Sequence, residues 1–259
     1  KNQFMTASTE TSDLWNSDTI NTVSIVTRHD AHAQQVISAL NSGKNVFVEK
    51  PLALTLDELD EIDTSYHKAN KSNTVRLMVG FNRRYAPHVV KMKKLLDSHR
   101  SPKSIIMTVN AGAIPSEHWV QDPLIGGGRI IGEGCHFIDL IRHLVGHKIT
   151  NFQATMMGNV PGVEVREDKA SITLSFEDGS FGTIHYLANG GSAFPKERIE
   201  VFCDNAVLQM DNYRVLTGYG WPGFKKMKLF KQDKGQKACA KAFVDSISNG
   251  AEAPIPYEE

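Results

Sequence analysis

Val46-Phe47-Val48-Glu49-Lys50-Pro51 is the stretch on which the fold turns. A β-branched and aromatic run stops at an acid, a base and a proline. Pro51 has no N–H to give to a ladder, and it biases Lys50 away from helical backbone angles. A strand therefore ends here, with a carboxylate and an ammonium at its carboxyl end. Ligands of open α/β sheets lie at the carboxyl ends of strands, which makes Glu49 and Lys50 candidate site residues. The alternative is a solvated strand end that opens a loop. Two flanking segments bear on the choice. Thr55-Leu56-Asp57-Glu58 has capping-box spacing and opens a helix with Leu56, Leu59, Ile62 and Tyr66 at helical intervals. Upstream, Thr22 to Val26 is β-rich and Asp30 is a candidate N-cap; Ala33, Val36, Ile37 and Leu40 line a helix that Gly43 stops. Val75 to Val79 supplies a third strand. Strand and helix alternate, which predicts a parallel sheet.

The rhythm changes after Gly80. Pro87 opens a helix carrying Val89, Val90, Met92, Leu95 and Leu96, and Ile105 to Val109 reads as a strand. Gly132 to Val145 reads as a helical segment closed by Gly146. Ala170, Ile172, Leu174 and Phe176 alternate with polar neighbours, the pattern of a sheet with one buried face. Glu177-Asp178-Gly179-Ser180 is a hairpin turn. Phe181–Leu187, Arg198–Cys203 and Ala206–Met210 continue an antiparallel sheet, and Lys237–Ser248 forms a last helix.

Composition excludes several classes. The 259 residues are 41% hydrophobic and 22% charged, with a net charge of +0 and no long basic run. Such a balance argues against nucleic acid as a partner. No apolar stretch approaches the ~20 residues of a membrane helix, and residues 1–10 lack the apolar core of a signal peptide. Three widely spaced cysteines, Cys135, Cys203 and Cys239, point to a reducing, cytoplasmic setting and to neither a zinc cluster nor a disulfide scaffold. The ten histidines show no ligand spacing, so no metal site is expected. The one literal G-x-G-x-x-G, Gly218 to Gly223, contains Pro222 and precedes a lysine-rich strand, so it reads as a hairpin and not as a phosphate turn.

A second dense stretch is Gly126-Gly127-Gly128-Arg129-Ile130-Ile131-Gly132-Glu133-Gly134-Cys135-His136-Phe137-Ile138-Asp139. Glu133, His136 and Asp139 recur every third residue and share one helix face. An acid–base pair on a helix that follows a glycine turn can move a proton. The alternatives are a structural histidine, a Glu133 that complements the helix dipole, and an Asp139 that orients a neighbour or faces solvent. Arg83 and Arg84 suit a cofactor, an anionic substrate group or a salt bridge. Trp119 beside His118 suits a sugar face or a loop anchor. Asn110 stands at a strand end, where it serves a ligand or a turn, and His29 and His32 flank the start of the first helix.

These two stretches, in this order, resemble the Gfo/Idh/MocA oxidoreductase family. Glu49-Lys50-Pro51 resembles its hallmark, Thr27-Arg28-…-His32 its cofactor turn, Gly80-Phe81-Asn82-Arg83-Arg84-Tyr85 the start of its second domain, and the stretch ending at His136 and Asp139 its catalytic helix. The resemblance implies an α/β chain. An incomplete Rossmann (doubly wound) domain over 1–79 precedes an α/β domain over 80–259 with a large, mostly antiparallel open sheet that packs on another subunit. It implies hydride transfer between NAD or NADP and a sugar, polyol or nucleotide-sugar. Lys50 and His136 are the implied catalytic pair, with Glu133 a further candidate. Thr27, Arg28, His29, His32, Glu49, Lys50, Pro51, Asn82 and Arg84 are implied at the cofactor, and Asn110, Trp119, Arg129 and Asp139 at the substrate. The reading requires the Lys50 ammonium and the His136 imidazole to converge on one pocket. The chain departs from the family pattern at Gly132, where the family often has aspartate, and at Arg28, where it usually has proline. Glu133 lies one position on, about 100° around a helix. Both ends look cut, and without a glycine-rich phosphate turn the isolated chain is expected to bind NAD(P) weakly or not at all. Two other readings are a non-catalytic nucleotide-binding or assembly module and an NAD-assisted glycosidase.

Overall fold

The computed structural model describes residues 5–72 and 74–259. They form two compact units, one built from residues up to Gly80 together with 241–259, the other from Phe81–Ala240.

The first unit begins with the short helix α1 (Ser12–Trp15), followed by β1 (Thr22–Ile25), α2 (His32–Asn41), β2 (Asn45–Val48), α3 (Leu56–Ser72) and β3 (Leu77–Val79). The strands lie in the order β1-β2-β3, all parallel, with Val23 opposite Val46 and Val46 opposite Leu77. Val36, Ala39 and Leu40 of α2 and Ile62 of α3 close over these strands. The capping box forms as its spacing predicts. Thr55 Oγ1 accepts from the Glu58 amide at 3.2 Å, and the Glu58 carboxylate accepts from the amides of Leu54 and Thr55 at 2.8 and 3.2 Å.

Two local expectations need correction. Asp30 does not cap α2. A 3-10 turn over His29–Ala31 precedes the helix, so Ala31 occupies the cap and Asp30 falls inside the turn. Leu56 and Leu59 do not face the core either; they are 78% and 40% exposed, and the buried stripe of α3 begins at Ile62 and Ser65. The first turn of α3 is set by its cap and not by burial.

The second unit contains α4 (Pro87–Leu96), β4 (Ser104–Asn110), α5 (Cys135–Val145), β5 (Ile149–Met156), β6 (Lys169–Phe176), β7 (Phe181–Leu187), β8 (Glu197–Cys203), β9 (Ala206–Asp211), β10 (Val215–Tyr219) and β11 (Lys226–Lys228). The eight strands are ordered β11-β10-β9-β8-β4-β7-β6-β5. Every pairing is antiparallel except β4 with β7, which run parallel. Met92 and Leu96 of α4 and Phe137, Leu140, Ile141 and Leu144 of α5 bury one face of this sheet with Ile105, Met107, Ile184 and Tyr186. The opposite face carries no helix from this unit.

The last helix, α6 (Gln236–Ser248), crosses the division between the units. Residues 241–259, assigned above to the second domain, pack with the first. Phe243 sets its ring 5.7 Å from that of Phe47. Tyr257 stacks on Tyr66 at 3.7 Å between centroids and donates to Asp63 at 2.9 Å. These aromatic contacts join positions some two hundred residues apart, which periodicity does not register. No described helix is long and apolar enough to cross a membrane.

Candidate active site

In the first unit the candidate residues cluster at the carboxyl ends of the parallel strands. β2 ends at Val48; the Glu49 amide donates to Ile25 O at 2.9 Å, and the half-buried Lys50 follows in a cis peptide bond with Pro51. Gly80 closes β3 against this end. A β-carbon there would stand 3.2 Å from the Phe47 ring and 3.3 Å from Glu49 Oε1, so the glycine lets the third strand end approach the second. The fully buried His32 ties the first strand end to the second: Nδ1 lies 2.7 Å from Pro51 O and Nε2 3.1 Å from Thr27 O. A neutral ring donates to one of these carbonyls at a time. His29 lies beside it, ring centroids 5.8 Å apart, while Thr27 and Arg28 are exposed. The adjacent carboxyl ends of β1 and β2 thus carry a hydroxyl, a guanidinium and an ammonium. That donor set fits the phosphate and ribose oxygens of a dinucleotide.

In the second unit the glycine stretch forms one turn of π-helix, Ile130–Gly134, before α5. Such turns cluster at functional sites because they re-aim side chains within a helix. His136 follows in the first turn of α5, 4% exposed, with its ring edge-on to Phe81 at 5.9 Å. Asp139, one turn later, takes a bidentate ion pair from Arg84, with Nε at 2.9 and 3.0 Å and the second nitrogen at 2.6 Å. Both side chains are 6% exposed. The pair fixes α5 to the Asn82–Tyr85 turn, so Arg84 and Asp139, implied at cofactor and substrate, serve each other.

Glu133 is more heavily engaged. It accepts from Lys196 Nζ at 2.7 Å, from the Tyr186 hydroxyl and from Arg129 at 2.9 Å. Burial alone would raise its pKa, but the bonds from Lys196, Tyr186 and Arg129 overcome this and hold the carboxyl down to about 2. Burial, and after it the same carboxylate, pushes Tyr186 up. A carboxylate held this acidic is a poor proton acceptor near neutrality. It organises the charge around the π-turn. Arg129, 4% exposed, also donates to Gly112 O and Ala111 O, so it fastens the loop after β4. The Asn110 amide donates to Gly191 O and Phe194 O at 2.8 and 3.1 Å, which pins the β7–β8 connection. Trp119 opens a 3-10 turn in the same loop region, where His118 Nδ1 accepts from the Val120 amide.

The acidity of Glu133 makes a testable statement. Its folded pKa lies below the unfolded value, so its stabilisation is fully present above pH ~4.5. It is lost as the pH falls toward 2, with a magnitude on the order of 3 kcal/mol. Acid titration followed by near-ultraviolet circular dichroism should show that slope in the native protein. Glu133→Gln should flatten it, and an unchanged slope would remove Glu133 as its source.

A further buried network anchors the Asn82–Tyr85 turn. Arg83 meets Glu197 in two bonds of 2.9 Å, and Lys234 Nζ reaches the same carboxylate at 2.6 Å. Asn82 donates to Lys234 O at 2.7 Å. Gly235 follows with φ +83°, and a β-carbon there would meet the backbone of Asn82, Tyr85 and Ala86 at 2.4–2.5 Å. Asn82, implied at the cofactor, thus holds the chain just before α6. Sequence reading missed Tyr186, Lys196, Glu197 and Lys234. The one signal was the charged run Lys196-Glu197-Arg198 at the start of a strand.

Comparison with known proteins places this architecture. Residues 2–81 match the model of the oxidoreductase family with an NAD-binding Rossmann fold, and residues 89–209 match the GFO/IDH/MocA C-terminal domain. The chain belongs to the Gfo/Idh/MocA family. Among curated Gfo/Idh/MocA relatives, the uncharacterized oxidoreductase YrbE of Bacillus subtilis is 29% identical over 79% of this chain and 59% of its own length. Myo-inositol 2-dehydrogenase of Thermotoga maritima is 25% identical over 79% of this chain and 60% of its own. The chain therefore spans about six tenths of these relatives. A levoglucosan dehydrogenase, solved with NADH and levoglucosan, superposes with a TM-score of 0.82 at 20% identity, over 98% of this chain and 78% of that one. This likeness establishes the shared Gfo/Idh/MocA fold.

Proposed function

We propose that the protein carrying this chain is an NAD(P)-dependent oxidoreductase that interconverts a hydroxyl and a ketone on a sugar, polyol or nucleotide-sugar. The observation that carries the reading is the pairing of family membership with retained chemistry, a lysine at the β2 end and a buried histidine opening α5. The relatives' names, inositol dehydrogenases among them, support the substrate class. Thr27, Arg28, Glu49 and Pro51 are the residues of this chain that would hold the cofactor. NAD(P), when bound, supplies the hydride acceptor. The Lys50 ammonium polarises the substrate oxygen and stabilises its alkoxide character. A ring nitrogen of His136 takes the hydroxyl proton. Arg84–Asp139 and the Glu133 cluster keep the α5 turn in place for that transfer. The G-x-G-x-x-G at Gly218–Gly223 joins β10 to β11 as a hairpin.

The test is a panel of cyclitols, aldoses and nucleotide-sugars assayed with NAD+ and NADP+ for absorbance of the reduced cofactor. Turnover with at least one polyol is expected. No reduction with any of them, by folded protein that binds cofactor, would favour the assembly-module reading.

The helix-free face of the large sheet supports a second copy as partner. Phe181, Ser104, Phe202, Val207 and Tyr219 lie in one cross-strand row, and Phe181, Phe202 and Tyr219 are 46%, 42% and 54% exposed. Isolated apolar side chains are ordinary on surfaces; this row, interrupted by Ser104, is the feature that supports an interface here. Light scattering should give a dimer or higher assembly, and a monomer at micromolar concentration would end this part of the proposal.

A further inference from the structure

His99, Cys203 and Asp204 bring an imidazole, a thiol and a carboxylate together in the second unit. One ligand atom from each lies within 4.8 Å of the other two. We propose that this set binds a borderline-soft divalent transition metal, with Zn2+ the best match. The ion would clip the β8–β9 turn to the connection between α4 and β4.

The donor chemistry makes the choice of ion. Thiolate and imidazole select zinc-like ions over magnesium and calcium, which take oxygen ligands. Zinc bonds of about 2.0–2.3 Å put tetrahedral ligand atoms roughly 3.3–3.8 Å apart, within reach of the observed cluster after small side-chain adjustments. Three protein ligands leave a fourth position for water on the side where Asp204 is exposed.

The backbone brings the three together in a way an ordinary hairpin does not. Consecutive residues of a strand point to opposite faces. Cys203 ends β8, 5% exposed, and the chain then turns through left-handed Asp204 (φ +48°) and Asn205 (φ +58°). That turn breaks the alternation, so neighbouring side chains 203 and 204 converge. His99 arrives from 105 positions away; its Nδ1 stands 2.7 Å from Asp204 Oδ2, and its ring is held edge-on to Trp221 at 4.7 Å. Without metal, His99 and Asp204 bond each other and the thiol keeps its proton. On binding, the thiol proton leaves to solvent as the thiolate ligates the ion, while a neutral His99 ring keeps its single N–H on the nitrogen turned away from the ion. Residues this far apart carry no ligand spacing, which is why the sequence pattern predicts no metal site.

Co2+ serves as the spectroscopic probe. The whole chain, stripped with chelator, is titrated with Co2+, and folding of each variant is checked by circular dichroism. One equivalent should bind, with visible bands of tetrahedral Co2+ and a thiolate charge-transfer band, and Zn2+ should displace it. Asp204→Asn suits the test because asparagine tolerates the left-handed turn. It should weaken binding by at least about tenfold, the lower end of what loss of even a supporting partner costs. Cys203→Ser should abolish the charge-transfer band; if that variant does not fold, the partly exposed His99→Gln replaces it and should weaken binding to the same extent. No stoichiometric Co2+ binding by the unmodified chain would overturn the proposal. So would affinity and spectrum that survive these substitutions.

Discussion

His136→Asn, made in the protein that carries this chain, is expected to lower kcat by about 10²–10⁴, the range that a positioned general base contributes. Asparagine keeps the size and a hydrogen-bonding end, so the α5 turn and its Arg84–Asp139 anchor stay in place. What is lost is an atom that can take a proton. Lys50→Met retains the aliphatic stem and removes the charge, and the expected loss is about 10²–10³, as for other oxyanion-stabilising donors. If both variants turn over at the parent rate, neither residue touches the chemistry. Loss in KM alone would make Lys50 a binding group.

The largest expected effect on stability lies at Glu197. Its side chain is fully buried and neutralises both Arg83 and Lys234. Glu197→Ala leaves the Arg83 guanidinium, 8% exposed, without its counter-charge, and breaking a buried pair from one side costs about 3–5 kcal/mol. Urea denaturation should show this as a lower midpoint with little change in slope. The double variant Arg83→Met with Glu197→Leu removes both charges together. It should recover most of the loss, because Lys234 is already partly exposed and its long stem can carry the ammonium to water. A midpoint within about 0.5 kcal/mol of the parent for Glu197→Ala, the scatter of ordinary surface changes, would contradict the network.

Local signals were legible in the chain. The Thr55–Glu58 box, the strand that halts before Pro51, the turn at Gly179 and the alternation of β6 each rest on neighbours within a few residues, and each is found. What depended on distant neighbours was not. Nothing near Glu133 announces Tyr186 and Lys196, which arrive from β7 and from the residue just before β8, fifty-three and sixty-three positions later. Arg84 and Asp139 could each be singled out as polar residues in dense motifs, but not as partners, because an ion pair leaves no periodicity. The parallel β4–β7 pairing is hidden for the same reason. Alternation fixes which face a residue takes and not which strand lies alongside.

The return of residues 241–259 to the first unit has a consequence during synthesis. Phe47 waits for Phe243, and Tyr66 for Tyr257, until nearly two hundred further residues have left the ribosome. The second unit, continuous from Phe81 to Ala240, can complete its sheet in the meantime. The earlier-made part of the chain is therefore the later to mature. In the interval it displays apolar surface to chaperones, so nascent chains arrested before position 241 should be the ones that such helpers retain.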